Sequence, residues 1–341
     1  MDEPDLSEFE ALDEIQELRR LASELQSKLR KEKNRTAALV EAAHAGARDA
    51  AVLLGNPPPV SAPPKRKEGE GSPEVALLHL SDWQVGKRTA SYSTAVAVSR
   101  MDQLCEKLVK ITQIERADHP VDEIHIMLGG DMVEGATIFP GQQYEIDSGL
   151  FQQVFAAAGI IENVVRVALA NYESVVVEEV SGNHGRIGKR GDLPREDNSD
   201  LFVYEVTRNR LEGESRLTWK QRANWYKIVE IGNYKALLIH GDQIKQFGGN
   251  TPAFGISRKL NSWMAGAIKD PFKDAYLGHF HQPLVLPLAN GSGRGFVNPS
   301  IESDNVYAQE FVAATGSPAQ RLNFIDPEVG RITSERLLWV D

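Results

Sequence analysis

Apolar positions follow one pattern at the start of the chain and another after it. In residues 5–52, Ile15, Leu18, Ala22, Leu25 and Leu29 recur at spacings of three and four, the a/d seam of a coiled coil. Glu32 and Thr36 then fall in register before Leu39 and Ala43. The pattern predicts a long N-terminal helix over residues 1–55, either self-associating or lying on its own domain. Residues 56–74, NPPPVSAPPKRKEGEGSPE, hold six prolines and almost nothing apolar, which predicts a flexible linker.

From Val75 on, strand and helix patterns alternate. VALLHLS (75–81) is a short apolar run bounded by polar residues, the signature of a buried strand. Val98, Met101, Leu104, Leu108 and Ile111 predict a helix over 94–115. Strand 123–130, helix 149–170, strand 174–182 and helix 199–211 follow. Strands then crowd together (216–220, 225–231, 234–239), with a helix over 253–268, a strand at 275–278 and further strands to the C-terminus. This order predicts an α/β domain over 75–341, two packed sheets with helices outside.

Composition narrows the function classes. Of 341 residues, 41% are apolar and 25% charged, enough to build a core without disulfide or zinc staples. The net charge of −10 argues against a wholly basic nucleic-acid coat but permits a local basic patch. Cys105 is the single cysteine. It has no internal disulfide partner, and a reducing, cytoplasmic setting is expected. The first seventeen residues carry eight acids and no Lys or Arg, the wrong charge for a secretory leader. No apolar run is read as approaching the length of a membrane span.

Candidate chemistry clusters where strands end. Strand 75–81 runs into Asp82-Trp83-Gln84, strand 123–130 into Asp131 and Glu134, and strand 174–182 into Asn183-His184. Strand 234–239 ends at His240-Gly241-Asp242, and strand 275–278 at Gly278-His279-Phe280-His281. Open α/β sheets bind ligands outside the carboxyl ends of their strands. The donors are carboxylate, amide and imidazole, a set suited to Mn, Fe, Zn or Ni. Four of the eight histidines lie in these blocks.

In order, the blocks read DWQ (82–84), GDMVE (130–134), GNHG (182–185), HGD (240–242) and GHFH (278–281). They resemble those of the calcineurin-like metallophosphoesterases: D-x-H, G-D-x-x-[DE], G-N-H-[DE], a lone His and G-H-x-H. The resemblance implies a four-layer αββα sandwich, here preceded by the long helix. It implies two divalent cations, with Asp131 bridging. Asp82, Gln84 and His281 would complete one site; Asn183, His240 and His279 would complete the other. His184 would face the scissile phosphate as acid or charge stabiliser. Such a centre clamps a phosphate and activates water for in-line attack.

Two positions depart from the family pattern. Gln84 stands where the family has His, which favours Mn²⁺ or Mg²⁺ over Zn²⁺. Gly185 stands where an acid often orients the neighbouring histidine, leaving Asp82 or a backbone carbonyl to orient His184.

The loop after GNH carries Arg186, Lys189, Arg190 and Arg195. It reads as a grip on further phosphates of a nucleotide or nucleic-acid substrate, or as a solvated loop. Segment 240–263 reads as a substrate lid, or as a loop and helix with Phe254, Ile256 and Leu260 in the core. Trp83 stacks a base or walls the site. His79, His119, His125, His44 and Cys105 read as structural. The expected activity is metal-dependent hydrolysis of a phosphodiester. A phosphomonoesterase and a catalytically weak scaffold are the alternatives.

Overall fold

The computed structural model describes residues 17–31, scattered positions between 34 and 52, and residues 55–341 except 65–68, 137, 140, 189, 192, 223, 245–252, 290 and 304–316. Residues 17–31 form helix α1. Leu18, Leu21, Leu25 and Leu29 on it are exposed. Ile15, Leu39, Ala43 and His44 lie outside the described residues.

Two sheets carry the domain. The first joins β1 (Val75–Leu80), β2 (Glu123–Leu128), β3 (Ser174–Glu179), β4 (Leu217–Lys220), β10 (Ala319–Asp326) and β11 (Arg331–Trp339), in the order β11-β10-β1-β2-β3-β4. The second joins β5 (Lys227–Ile231), β6 (Tyr234–Leu238), β7 (Asp274–Leu277), β8 (Val285–Pro287) and β9 (Arg294–Val297), in the order β5-β6-β7-β9-β8. Strands β1 to β4 are parallel, as are β6, β7 and β9. Helices α2 (Thr94–Glu115), α3 (Leu150–Asn171) and α4 (Ser199–Arg210) connect the first four strands.

Alternation along each strand divides the apolar residues into three cores, and these define the layers. Ala76, Leu78 and Leu80 of β1 pack with Met101, Leu104 and Leu108 of α2 and Val164 of α3. Val75 and Leu77, on the opposite face, meet Ala236, Leu238 and Tyr276 of the second sheet. Leu237, Ala275 and Leu277 point away from that interface, onto Ile256, Leu260 and Trp263. Three apolar interfaces require four layers, so the fold is the expected helix–sheet–sheet–helix sandwich.

Three readings change. Helix α5 covers only Ala253–Ser262 and passes into a wide turn at Trp263–Ala267, where Gly266 adopts φ 117°. Phe254 is exposed, whereas Ile256 and Leu260 are core. α3 does have the length and hydropathy (1.4) of a membrane span. It is apolar because β-sheet and helices cover it on several sides, and ten of its residues are buried. Residues 58–61 lie against the domain: Pro58, Val60 and Ser61 accept from Arg166 or Arg216, and Val60 N donates to Glu214.

Candidate metal centre

Five of the parallel strands, β1, β2, β3, β6 and β7, end in turns that carry the donors. Asp82 and Gln84 follow β1, Asp131 follows β2, and Asn183 and His184 follow β3. His240 follows β6, and His279 and His281 follow β7. Asp82 (φ 57°), Gln84 (46°), Asp131 (56°), His279 (67°) and His281 (55°) have left-handed backbones; among the described residues no other non-glycine residue does. That conformation costs an L-residue about 1 kcal/mol or more. Its confinement to proposed ligands marks the turns as shaped for function. The neighbouring glycines make room. A Cβ at Gly182 would lie 2.1 Å from Asp131 Oδ1, and one at Gly278 2.1 Å from Asp82 Oδ2.

One half of the site is a ready donor set. Asp131, His240 and His279 place one ligand atom each within 4.8 Å of one another. His240 Nε2 is 3.0 Å from Asp131 Oδ2 and 3.1 Å from Asn183 Oδ1. His240 Nδ1 lies 2.9 Å from the Gly129 carbonyl oxygen. That carbonyl takes the Nδ1 proton and leaves Nε2 to face the other donors. Burial disfavours charge on His240, but the Asp131 carboxylate outweighs it and raises the imidazole to about 10. The same potential attracts a cation. Burial and the His240 charge push His279 down to about 4, so it stays a neutral donor. Asp131 Oδ2 is buried without a hydrogen-bond partner, an atom left for a cation. These residues fit a divalent metal.

The other half is built differently. Asp82 Oδ1 accepts from His279 N at 2.9 Å and lies 3.3 Å from His281 Nε2. His281 Nδ1 is 3.4 Å from Glu302 Oε2, and Lys87 Nζ is 2.7 Å from Glu302 Oε1. Lys87 also donates to Gln84 Oε1 at 3.2 Å. Gln84 Nε2 lies 3.3 Å from the Nε2 atoms of both His184 and His281. Gln84 is thus in the site, but its oxygen is engaged by Lys87. Burial would raise the Glu302 carboxyl, yet His281 and Lys87 hold it at about 2.

His184 stands between the halves. Its backbone N donates to Asp131 Oδ1 at 2.7 Å. Its Nδ1 is 3.1 Å from both the carbonyl and the carboxylate oxygen of Glu134. Burial lowers its affinity for a proton, but Glu134 and Asp131 prevail and raise it to about 9. Glu134 is therefore the orienting residue, in place of the expected Asp82; the expected backbone carbonyl is its own. Gly185 carries no acid because none fits: a Cβ there would be 2.3 Å from Asn198 Oδ1 and 2.9 Å from Asp200 N.

Sequence reasoning missed Lys87, Glu302 and Asp200. Asp200 accepts from the backbone N of Asp131 (2.9 Å), Met132 (3.0 Å) and Gly182 (2.8 Å), tying the second block to the third. Burial and the nearby Asp131 raise its carboxyl to about 6.

The basic loop borders the site. Arg186 Nε donates to the Asn183 carbonyl at 3.0 Å. With Arg190, Arg195 and Arg222 it lines a cleft of about 240 Å³ beside Gly182 and Asp242. A cavity of about 630 Å³ adjoins it, sharing Arg195, Arg222, Trp225 and Gln243 and reaching Lys259 and Trp263. Lys189 and Lys245 lie outside the described residues.

The structural residues separate from these. Trp83 is buried, its Nε1 donating to Gln320 at 3.3 Å, so it walls the site and stacks no base. His79 is buried against Tyr276, and burial holds it at about 3. His125 lies between Glu123 (3.0 Å) and Glu178 (3.8 Å). Cys105 is buried in the α2 core, and burial pushes its thiol up to about 12.

No protein-family model and no curated protein matches the sequence. Solved structures similar to this chain include Vps29 of Entamoeba histolytica complexed with zinc (12% identity, 77% of this chain and 99% of that one, TM-score 0.35). A predicted phosphoesterase of Streptococcus pneumoniae is similar at 13% identity, over 77% of this chain and 98% of that one, with a TM-score of 0.29. The sulfate thiohydrolase SoxB of Thermus thermophilus is similar at 13% identity, over 80% of this chain and 57% of that one, with a TM-score of 0.32. At these TM-scores the chemistry of the site is taken from its own residues. The five motif blocks lie in chain order at the strand ends of two facing sheets.

Proposed function

We propose that the chain is a divalent-metal-dependent phosphodiesterase acting on nucleotides or nucleic acids. The observation that carries this reading is the gathering of five left-handed non-glycine residues, all of them cation donors, at one sheet edge. Asp131, Asn183, His240 and His279 would hold one cation, and Asp82 and His281 would face a second; this nitrogen and oxygen donor set suits Mn²⁺ among the divalent metals. Bound cations supply charge neutralisation at the phosphate and a more acidic water.

The chain's own groups supply the rest. Glu134 holds His184 by Nδ1, which leaves Nε2 toward the site. A protonated His184 donates from Nε2 to the leaving oxygen, or stabilises phosphate charge. Arg186 and Arg190 at the cleft offer positive charge to flanking phosphates. Beyond them, Trp225 and Trp263 (ring centroids 5.2 Å apart) give the larger cavity an aromatic wall. Such a wall suits a nucleobase.

The test is a Mn²⁺ assay with chromogenic mono- and diesters, cyclic nucleotides, and single- and double-stranded DNA and RNA. Diester turnover is expected. Turnover of monoesters alone would replace the reading with a phosphomonoesterase, and none on any substrate would leave a binding scaffold.

The same reading extends to assembly: α1 joins copies of the chain through its exposed leucines. A chain beginning at Gly55, which keeps the hydrogen bonds of residues 58–61, is expected to hydrolyse a small diester undiminished. By sedimentation it should form a smaller oligomer. An unchanged number of chains per particle would remove α1 from that role.

A further inference from the structure

One half of the centre holds a lysine. Lys87 is buried, and its ammonium lies between Glu302 Oε1 (2.7 Å) and Gln84 Oε1 (3.2 Å). An ammonium only donates. The Gln84 atom facing it is the carbonyl oxygen, and the amide nitrogen lies 3.3 Å from the Nε2 atoms of His184 and His281. A carboxamide binds a hard cation through its oxygen, and that oxygen already faces an ammonium, whose charge repels a second cation there. Asp82 and Glu302 each bring a negative charge to this half, and Lys87 cancels one of them, so the second carboxylate adds no net attraction for an ion. In the other half Asp131, His240 and His279 already bring one ligand atom each within 4.8 Å of one another, with no lysine among them.

We propose that Lys87 is a built-in cation for the Asp82–His281 half of the centre. It occupies the Gln84 oxygen and neutralises Glu302. The free protein therefore binds one divalent ion tightly, at Asp131, His240 and His279, and a second only weakly, at Asp82 and His281. This rests on the metal-centre reading above. It makes Gln84 and Lys87 a coupled pair: the amide replaces the family's imidazole where a fixed positive charge stands behind it. An imidazole at position 84 would lose the acceptor that Lys87 uses.

The experiment is a Mn²⁺ titration of metal-stripped, full-length protein without substrate, following the paramagnetic resonance signal of free Mn²⁺. One ion is expected to bind before free signal appears, and a second to bind at least about 10-fold more weakly. Lys87→Met should tighten the second constant by about 10-fold or more and leave the first unchanged. Lys87→Gln keeps a donor for Gln84 and Glu302 and serves the same purpose should Met destabilise the buried site. Lys87→Arg, which keeps the charge, should behave as wild type. Two ions of equal affinity in the wild type, or a second constant indifferent to loss of the Lys87 charge, would overturn the proposal. If diester hydrolysis persists in that case, the proposed function stands without it. Failure to bind any Mn²⁺ would overturn both.

Discussion

The halves of the centre use the same kinds of donor, and what stands behind the donors separates them. Behind His240 is the Gly129 carbonyl, a neutral acceptor that sets one tautomer and turns Nε2 toward Asp131. Behind His281 is Glu302, a full carboxylate, and behind that is Lys87. Both backings are neutral in sum, but the second reaches neutrality with a fixed ammonium that also faces the Gln84 oxygen. A donor list alone therefore overstates the symmetry of such a site.

The strongest break in the comparison comes from its two aspartates. Asp131→Asn is expected to abolish tight Mn²⁺ binding and lower diester turnover by more than about 100-fold. Asp82→Asn should leave the tight ion in place and weaken only the second. Equal loss of the tight ion in both variants would show that the halves do not bind independently. Calorimetric titration with Mn²⁺, alongside turnover, decides this.

His184 sharpens the picture from between the halves. His184→Ala should keep the tight ion and lose turnover by about 10²–10⁴-fold. Glu134→Gln, which still reaches Nδ1 but without charge, should lose about 10- to 100-fold with metal affinity unchanged. If His184→Ala released metal as readily as Asp131→Asn, His184 would be a ligand and the assignment of roles would be wrong.

The smallest effect is expected at Gly185, where the family pattern suggests an acid and the packing forbids one. Gly185→Asp should destabilise the fold by about 1–3 kcal/mol through overpacking against Asn198 and Asp200. It should not improve turnover, because Glu134 already holds His184. A raised melting temperature, or faster hydrolysis, would contradict this.

Much of the architecture was legible in the chain, because each block sits where an apolar run stops. Strands β1, β2, β3 and β7 and helix α2 follow from periodicity, and the donors follow from the strand ends. The supporting residues were not legible, for physical reasons. Asp200 reads as an ordinary acid in the first turn of a helix capped by Asn198. Only the fold brings it under three backbone N–H groups. Glu302 lies outside every block, and its role depends on a lysine 215 positions away in sequence. Helix α5 was read too long because the apolar period continues through Trp263, whereas Gly266 turns the backbone.

The five left-handed residues have a consequence for how the chain would respond to selection. Each holds an unfavourable backbone state that glycine adopts without penalty. Glycine would relieve that strain at each, but at Asp82 and Asp131 it would also remove the acceptors of the His279 and His184 backbone N–H groups. Heat tolerance would therefore be gained first at Gln84, His279 and His281, by discarding the donor. A library sorted for thermal survival alone would drift toward an inert, sturdier protein. Keeping these residues costs robustness, which only a requirement for the site itself would repay.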